Sequence, residues 1–170
     1  MPGGDSSTFV MFLLRVVAQI FEGHALGSTK ANARAVPSAP PAMAAPIAAA
    51  GYAVAGTALA LRGSPYRNGG ADPTGFDCSG FVRYVFGRHG LAVPRSVGEL
   101  FRAGEEVAPD AVQPGDLVFF DMVGGGASHV GIAIGGDEFV HAPSTKGVVR
   151  VDRMGGSYWA ARFLGARRLN

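Results

Sequence analysis

The 170-residue sequence contains a single cysteine, Cys78. One thiol cannot form an internal disulfide, and it cannot supply a zinc site built from several cysteines. Cys78 is therefore either a buried and inert side chain or a residue used for its chemistry.

Charge is also scarce. Charged residues make up 16% of the chain, the formal net charge is +2, and Lys and Arg form no run. We therefore expect no nucleic-acid partner. Apolar residues make up 48% of the chain, which suffices for one core and argues against global disorder. The 26 Gly and 11 Pro favour a loop-rich fold over a helical bundle.

A long uninterrupted apolar run is missing from the N-terminal part. Residues 9–21 repeat apolar side chains at helical spacing, but Arg15 interrupts them and Asp5 precedes them. The segment matches neither an ordinary export signal nor a charge-free span of about twenty residues. Three interpretations stay open: an amphipathic anchor that associates with a membrane, an export signal, or a gene start extended upstream of Met11.

The composition changes near residue 50. Residues 35–50 hold eight Ala, four Pro and no charge, which is typical of an extended linker. We therefore expect an N-terminal segment with its linker over residues 1–52 and a folded domain over residues 53–170. The domain should begin with a helix over residues 54–61.

Helices are expected first in this domain. A Gly- and Pro-rich loop over residues 63–76 precedes an apolar stripe that predicts a helix over Cys78–Arg88. Asp77 stands at its N-cap position and Gly90 at its C-terminal end. Residues 97–103 predict a second, short helix.

Strands follow after Gly115. A Gly-Gly-Asp turn at residues 135–137 separates two of the five short apolar runs and predicts a hairpin. Helices followed by an antiparallel sheet indicate an α+β domain. The runs are residues 117–120, 129–134, 138–141, 148–151 and 161–167.

The predicted position of Cys78 suits a reactive thiol. In the first turn of a helix, free N–H groups and the helix dipole favour a negative charge. An ordinary thiol has a pKa of about 8.5, and we expect this position and a neighbouring imidazolium to lower it. The same N–H groups could form part of an oxyanion hole.

Four histidines are candidate partners for the thiol. His24 lies in the N-terminal segment, and His89 is expected to interact with the C-terminal end of the Cys78 helix. His129 begins one predicted strand and His141 ends the next, so their rings can meet on one face as a base and its orienting group. A zinc site formed by Cys78, His129 and His141 is an alternative. The sequence spacing of these three residues matches no metal-binding motif, so we expect neither a metal nor a cofactor.

These residues resemble the NlpC family of cell-wall endopeptidases, and the resemblance covers about residues 53–168. No single stretch is decisive, but the ordered set is specific. The matching stretches are residues 63–70 (GSPYRNGG), 73–84 (PTGFDCSGFVRY), 94–95 (PR), 114–120 (PGDLVFF), 128–135 (SHVGIAIG), 139–144 (FVHAPS), 158–159 (YW) and 162–168 (RFLGARR).

The resemblance implies a papain-like, circularly permuted α+β fold with N-terminal helices packed on an antiparallel sheet. It implies that Cys78 is the nucleophile, that His129 is the general base and later the acid, and that His141 orients His129. No metal takes part in such a mechanism.

The resemblance also implies roles around the nucleophile. Tyr66 would position substrate or assist the oxyanion, and Asp77 and Ser79 would grip the free amino end of a stem peptide. Two positions depart from the family pattern: Leu100 replaces a frequent Gln and Asn68 a frequent Trp. Both affect the expected substrate preference and leave the catalytic residues intact.

The implied function is hydrolysis of peptidoglycan stem peptides in the cell envelope, at the bond between D-γ-glutamate and the diamino acid. An amidase or transpeptidase on the same fold, an inactive wall-binding module and a metal-dependent hydrolase are the alternatives. The sequence carries no signal for an oligomeric state.

Overall fold

The computed structural model describes residues 44–170 except Lys146. The predictions for residues 9–21, for Met11 and for His24 lie outside this part of the chain. Among the described residues, no helix combines the length and the apolar character needed to cross a membrane.

The first described helix, α1, covers Ala44–Ala60. It begins ten residues before the predicted start, so the expected linker is wrong for residues 44–50, and the proposed boundary at residue 53 falls inside a helix. Alanine has the highest helix propensity, and Pro46 is tolerated because a first-turn residue needs no backbone N–H donor. The Ala-rich composition is therefore compatible with a helix here.

Two further helices carry the first half of the fold. Helix α2 covers Cys78–Arg88 with Asp77 as its N-cap, and α3 covers Val97–Arg102, both as predicted. The residue after the α2 C-cap is Gly90, whose φ of 79° is the left-handed conformation that ends many helices. Two short strands, β1 (Ala71–Asp72) and β2 (Gly75–Phe76), form a hairpin before α2.

The second half is a six-stranded antiparallel sheet with the order β3-β8-β4-β5-β6-β7. Helices followed by this sheet confirm the α+β prediction. A short 3₁₀ helix (Pro109–Ala111) follows β3, and a one-turn helix, α4 (Ser157–Ala160), precedes the last strand. The strands are β3 (Glu105–Val107), β4 (Leu117–Phe120), β5 (His129–Gly135), β6 (Glu138–His141), β7 (Arg150–Arg153) and β8 (Phe163–Arg168).

Both faces of β4 are buried, which explains its uninterrupted apolar run. Leu117 and Phe119 join a core shared with α1 and α2, whereas Val118 and Phe120 join a second cluster that contains Trp159 of α4. A strand covered on both sides needs apolar residues at every position. The helices therefore cover one face, and α4 covers part of the other, beside the start of β5.

Candidate active site

Cys78 is the first residue of α2, and its neighbours fix that helix start. The Asp77 carboxylate accepts a hydrogen bond from the backbone N–H of Gly80 at 2.7 Å, and the Asp77 N–H donates to the carbonyl of Gly70. A Cβ on Gly80 would lie 1.9 Å from that same carbonyl oxygen. The glycine thus allows the preceding loop to pack directly against the nucleophile's helix.

Backbone N–H groups of Ser79, Val130 and Cys78 lower the pKa of the Cys78 thiol. The thiol therefore lies between the first turn of α2 and the start of β5. Burial, and then the charge of Asp77, raise the pKa of Cys78 although these N–H groups lower it. The expectation of a lowered thiol pKa is wrong for the substrate-free site, because desolvation outweighs the helix N-terminus.

His129 and His141 meet as expected from their predicted strands. His129 Nε2 lies 2.7 Å from His141 Nδ1, and both side chains are buried. The other ring nitrogen of His141, Nε2, lies 3.0 Å from Oδ2 of Asp152. Arg150 in turn donates to Oδ1 of Asp152 at 2.5 Å.

The sequence interpretation missed Asp152 and Arg150. The signal that could have found them is the alternation Arg-Val-Asp in β7, which places both polar side chains on one face. Arg150 pairs directly with His141 in the sheet, and Asp152 is its diagonal neighbour on β7. The register of a strand is needed to see this, and the sequence predicted the start of β7 two residues too early.

Trp159 was also missed as a site residue. Its ring stacks on His129, with centroids 5.6 Å apart and an interplanar angle of 24°, and it meets His141 edge-on at 4.9 Å. This apolar packing contributes to the burial that lowers the pKa of His129 to about 3 and of His141 to about 4. Both imidazoles are therefore neutral at neutral pH.

Cys78 and His129 line the same cavity, which has a volume of about 840 Å³. Within the described residues no hydrogen bond joins the two side chains directly; catalytic contacts of this kind often tighten only when substrate binds. The remaining lining residues are Tyr66, Met122, Val123, Ser128, Ala142, Pro143, Ser144, Thr145, Arg150, Asp152, Tyr158 and Trp159.

Tyr66 lies in this cavity, as the resemblance implied. Burial, followed by the nearby negative charges of Cys78 and Asp77, raises the pKa of its hydroxyl. The hydroxyl therefore remains a hydrogen-bond donor at neutral pH, which suits contact with a carbonyl or oxyanion.

Asp77 and Ser79 do not line the cavity. Arg95 donates to Asp77 Oδ2 at 2.6 Å and to the Ser79 hydroxyl at 2.7 Å, and the backbone N–H of Gly69 donates to the same Asp77 oxygen at 2.9 Å. These contacts hold the loop and Arg95 against the start of α2. The substrate-binding role of Asp77 and Ser79 stays a prediction.

His89 lies at the end of α2, as predicted, and its backbone N–H donates to the carbonyls of Gly87 and Phe86. It is the C-cap residue, and its ring lies 2.8 Å from the Thr57 hydroxyl of α1, which ties the two helices together. Another cavity, of about 360 Å³, includes His89 in its lining but none of the residues expected in catalysis. Between residues 44 and 170, Lys146 aside, no three His, Cys, Asp or Glu side chains are arranged to hold a metal ion.

Comparison with known proteins identifies the family and the fold. The family model described as "NlpC/P60 family" matches residues 63–168. A solved NlpC/P60 family protein from Bacillus cereus superposes with a TM-score of 0.65 at 32% identity, covering 69% of this chain and 39% of that one. The mixed helix and antiparallel-sheet architecture is thus the papain-like fold expected from the sequence.

Two curated relatives carry functional names. The γ-DL-glutamyl hydrolase of Bacillus subtilis is 37% identical over 113 residues, which are 64% of this chain and 27% of that protein. The murein DD-endopeptidase MepS/murein LD-carboxypeptidase of Escherichia coli is 42% identical over 109 residues, 64% of this chain and 57% of that protein. The chain therefore spans between about a quarter and three fifths of these relatives.

Proposed function

The chain belongs to the NlpC/P60 family, and we propose that it is a cysteine endopeptidase that cleaves peptidoglycan stem peptides in the cell envelope. The observation that carries this proposal is the buried 2.7 Å hydrogen bond between His129 and His141, in a site whose cavity also contains Cys78. A thiol, a neutral imidazole and a group that orients it are the parts that acyl transfer through a cysteine requires.

The first step forms an acyl-enzyme. Since His129 uses Nε2 for His141, its Nδ1 is the nitrogen left to accept the thiol proton. As that proton moves, the sulfur attacks the amide carbonyl, and backbone N–H groups in the first turn of α2 would donate to the negative charge that develops on the carbonyl oxygen. The C–N bond then breaks, and the proton on His129 passes to the leaving amine.

The second step restores the enzyme. Water gives a proton to His129 and its oxygen attacks the thioester, which releases a carboxylic acid and returns the proton to the Cys78 sulfur. The raised thiol pKa and the lowered imidazole pKa favour a neutral resting pair. Proton transfer then accompanies attack on the substrate, and no stable ion pair precedes it.

We further propose that the bond cut is the one between D-γ-glutamate and the diamino acid. The name of the Bacillus subtilis relative supports this choice, whereas the name of the Escherichia coli relative indicates D,D and L,D bonds. An amidase or transpeptidase on the same fold would also use Cys78, His129 and His141. These reactions are therefore distinguished by identifying the product.

The test is a digest of two defined muropeptides, a tetrapeptide monomer and a D,D-cross-linked dimer, followed by mass spectrometry. We expect wild-type protein to release the dipeptide of the diamino acid and D-Ala from the monomer, and Cys78→Ala to release nothing. Gly87→Ala is a matched control, because a Cβ at position 87 meets no atom within 4 Å. Cleavage of the dimer alone would move the assignment to the D,D bond, and an active Cys78→Ala would contradict a cysteine mechanism.

Binding to peptidoglycan without any product would favour the wall-binding module. Activity that is lost with a chelator and restored by a metal ion would favour the metal-dependent hydrolase. Membrane association through residues 9–21 remains a prediction, and so does the role of residues 1–52.

A further inference from the structure

A carboxylate lies behind the two histidines. Asp152 on β7 is 3.0 Å from His141 Nε2, and His141 reaches His129 through its other ring nitrogen at 2.7 Å. The side chain of His141 is fully buried, while that of Asp152 is 19% exposed. A continuous chain of hydrogen bonds thus runs from His129 to β7.

The chemistry of the carboxylate sets the direction of these hydrogen bonds. An ionised carboxylate only accepts, so His141 carries its proton on Nε2. Since burial keeps His141 neutral, its Nδ1 has a lone pair and must accept from Nε2–H of His129. Neutral His129 then has its own lone pair on Nδ1, the nitrogen that the mechanism assigns to the thiol proton.

We propose that Asp152 is a fourth functional member of the site, a positioning residue that fixes the tautomer of His141 and, through it, the tautomer of His129. This inference rests on the proposed function of Cys78 and His129. Without the carboxylate, His141 could place its proton on Nδ1 and donate to His129. The His129 proton would then move to Nδ1, and the base would be lost.

Arg150 completes the arrangement. Its guanidinium donates to Oδ1 of Asp152 at 2.5 Å, so the two carboxylate oxygens have separate partners and the carboxylate cannot rotate freely. The charge of Asp152 favours an imidazolium at His141, whereas the charge of Arg150 disfavours it. Arg150 therefore offsets part of the effect of Asp152, and burial is the main cause that keeps His141 neutral.

A purely structural role would look different. The contact also links β7 to β6, and removing any such link should lower stability and reduce turnover equally at every pH. The same strand offers a matched control, because Arg153 pairs with Asp137 at 3.1 Å and neither residue lines the cavity. Asp137→Asn removes a link of similar kind without touching the histidines.

The experiment has two parts. Nitrogen-15 spectra of the histidine side chains, recorded near pH 7 without substrate, report the protonated ring nitrogen directly. Steady-state cleavage of the defined muropeptide, measured from pH 4 to 9, reports kcat and KM for wild type, Asp152→Asn and Asp137→Asn. An asparagine amide can donate to His141 Nε2 as well as accept from it, so the tautomer is no longer fixed.

In wild type we expect both histidines to carry the proton on Nε2. In Asp152→Asn we expect the opposite tautomer to appear, kcat to fall at least about 10-fold, and KM to change little. Asp137→Asn should match wild type in all of these. Wild-type protein with the His129 proton on Nδ1, or Asp152→Asn with an unchanged kcat, would overturn the proposal.

The two proposals fail separately. If wild type cleaves no muropeptide, the proposed function is wrong, but the spectra still decide whether Asp152 sets the tautomers. If Asp152→Asn does not fold, the wild-type spectrum alone remains decisive. A uniform loss of kcat without a change in spectrum or profile would reduce Asp152 to a structural residue.

Discussion

Gly131 leaves the space that His141 occupies. A Cβ on Gly131 would lie 3.2 Å from the Cβ of His141 and 2.6 Å from Cδ2 of Phe139. Gly131 stands two residues after His129 on β5, and β6 carries His141 alongside it. The absence of a side chain at position 131 therefore lets the two histidines approach across the strands.

Replacing Gly131 with alanine should damage the site and the fold together. The added methyl group would displace Phe139 and His141, and overpacking of this kind costs about 1–3 kcal/mol of unfolding free energy. We expect a lower denaturation midpoint and a kcat that falls further than stability alone explains. Chemical denaturation measures the stability, and muropeptide turnover measures kcat. Gly98→Ala is the control, because a Cβ at position 98 meets no atom within 4 Å. A fully active Gly131→Ala would show that the close approach of β5 and β6 at Gly131 is dispensable.

Residues close in sequence were predictable. The start of α2, its N-cap Asp77 and the turn between β5 and β6 depend on local rules of capping and turn geometry, and all three were found. The pairing of His129 with His141 was also predictable, because a hairpin places the ends of its two strands side by side.

Contacts across the fold were not predictable in the same way. Asp152 and Trp159 lie on a strand and a helix of four residues each, which are too short to show a hydrophobic periodicity. The residues that they contact in the site are also distant in sequence. The pKa of Cys78 was predicted in the wrong direction, since the helix N-terminus can be seen in the sequence but the burial around the sulfur cannot. The start of α1 was missed because its Ala-rich sequence resembles a linker.

The substrate-free thiol should react slowly. Burial raises the pKa of Cys78, so less thiolate is present at neutral pH than in an ordinary thiol. We expect iodoacetamide to alkylate Cys78 more slowly at pH 7 than it alkylates glutathione, with a rate that rises steadily above pH 9. His129→Gln should alter this rate little. Rapid labelling at pH 6 that depends on His129 would instead indicate a thiolate–imidazolium pair.

Variants of Asp77 can distinguish a positioning role of this residue from a substrate-binding role. Asp77→Ala removes the N-cap and the partner of Arg95, and we expect a loss of about 1–2 kcal/mol in unfolding free energy together with a lower kcat. Asp77→Asn keeps a capping side chain and should lose less.

The decisive measurement for Asp77 compares muropeptides with a free and an acetylated amino end. Their ratio of kcat/KM should be the same in wild type and in Asp77→Asn, because the carboxylate does not line the cavity. A loss confined to the free-amine substrate would support the role that the family resemblance implied.

Finally, the buried histidines should make stability depend on pH. Burial lowers the pKa of His129 to about 3 and of His141 to about 4, against 6.5 for an exposed histidine, so the unfolded chain binds protons that the folded chain excludes. Their contribution is complete above pH 6.5 and is lost as the pH falls below it, by up to about 1.4 kcal/mol per pH unit for each histidine.

The useful window for this measurement is pH 6.5 to 5, above the range in which the carboxylates titrate. We expect urea denaturation to show a falling free energy of unfolding across this window in wild type. In a His129→Gln/His141→Gln double variant the slope should be clearly smaller, whatever its absolute stability. An equal slope in both proteins would mean that the two rings accept protons without unfolding, and therefore that they are not held neutral by burial.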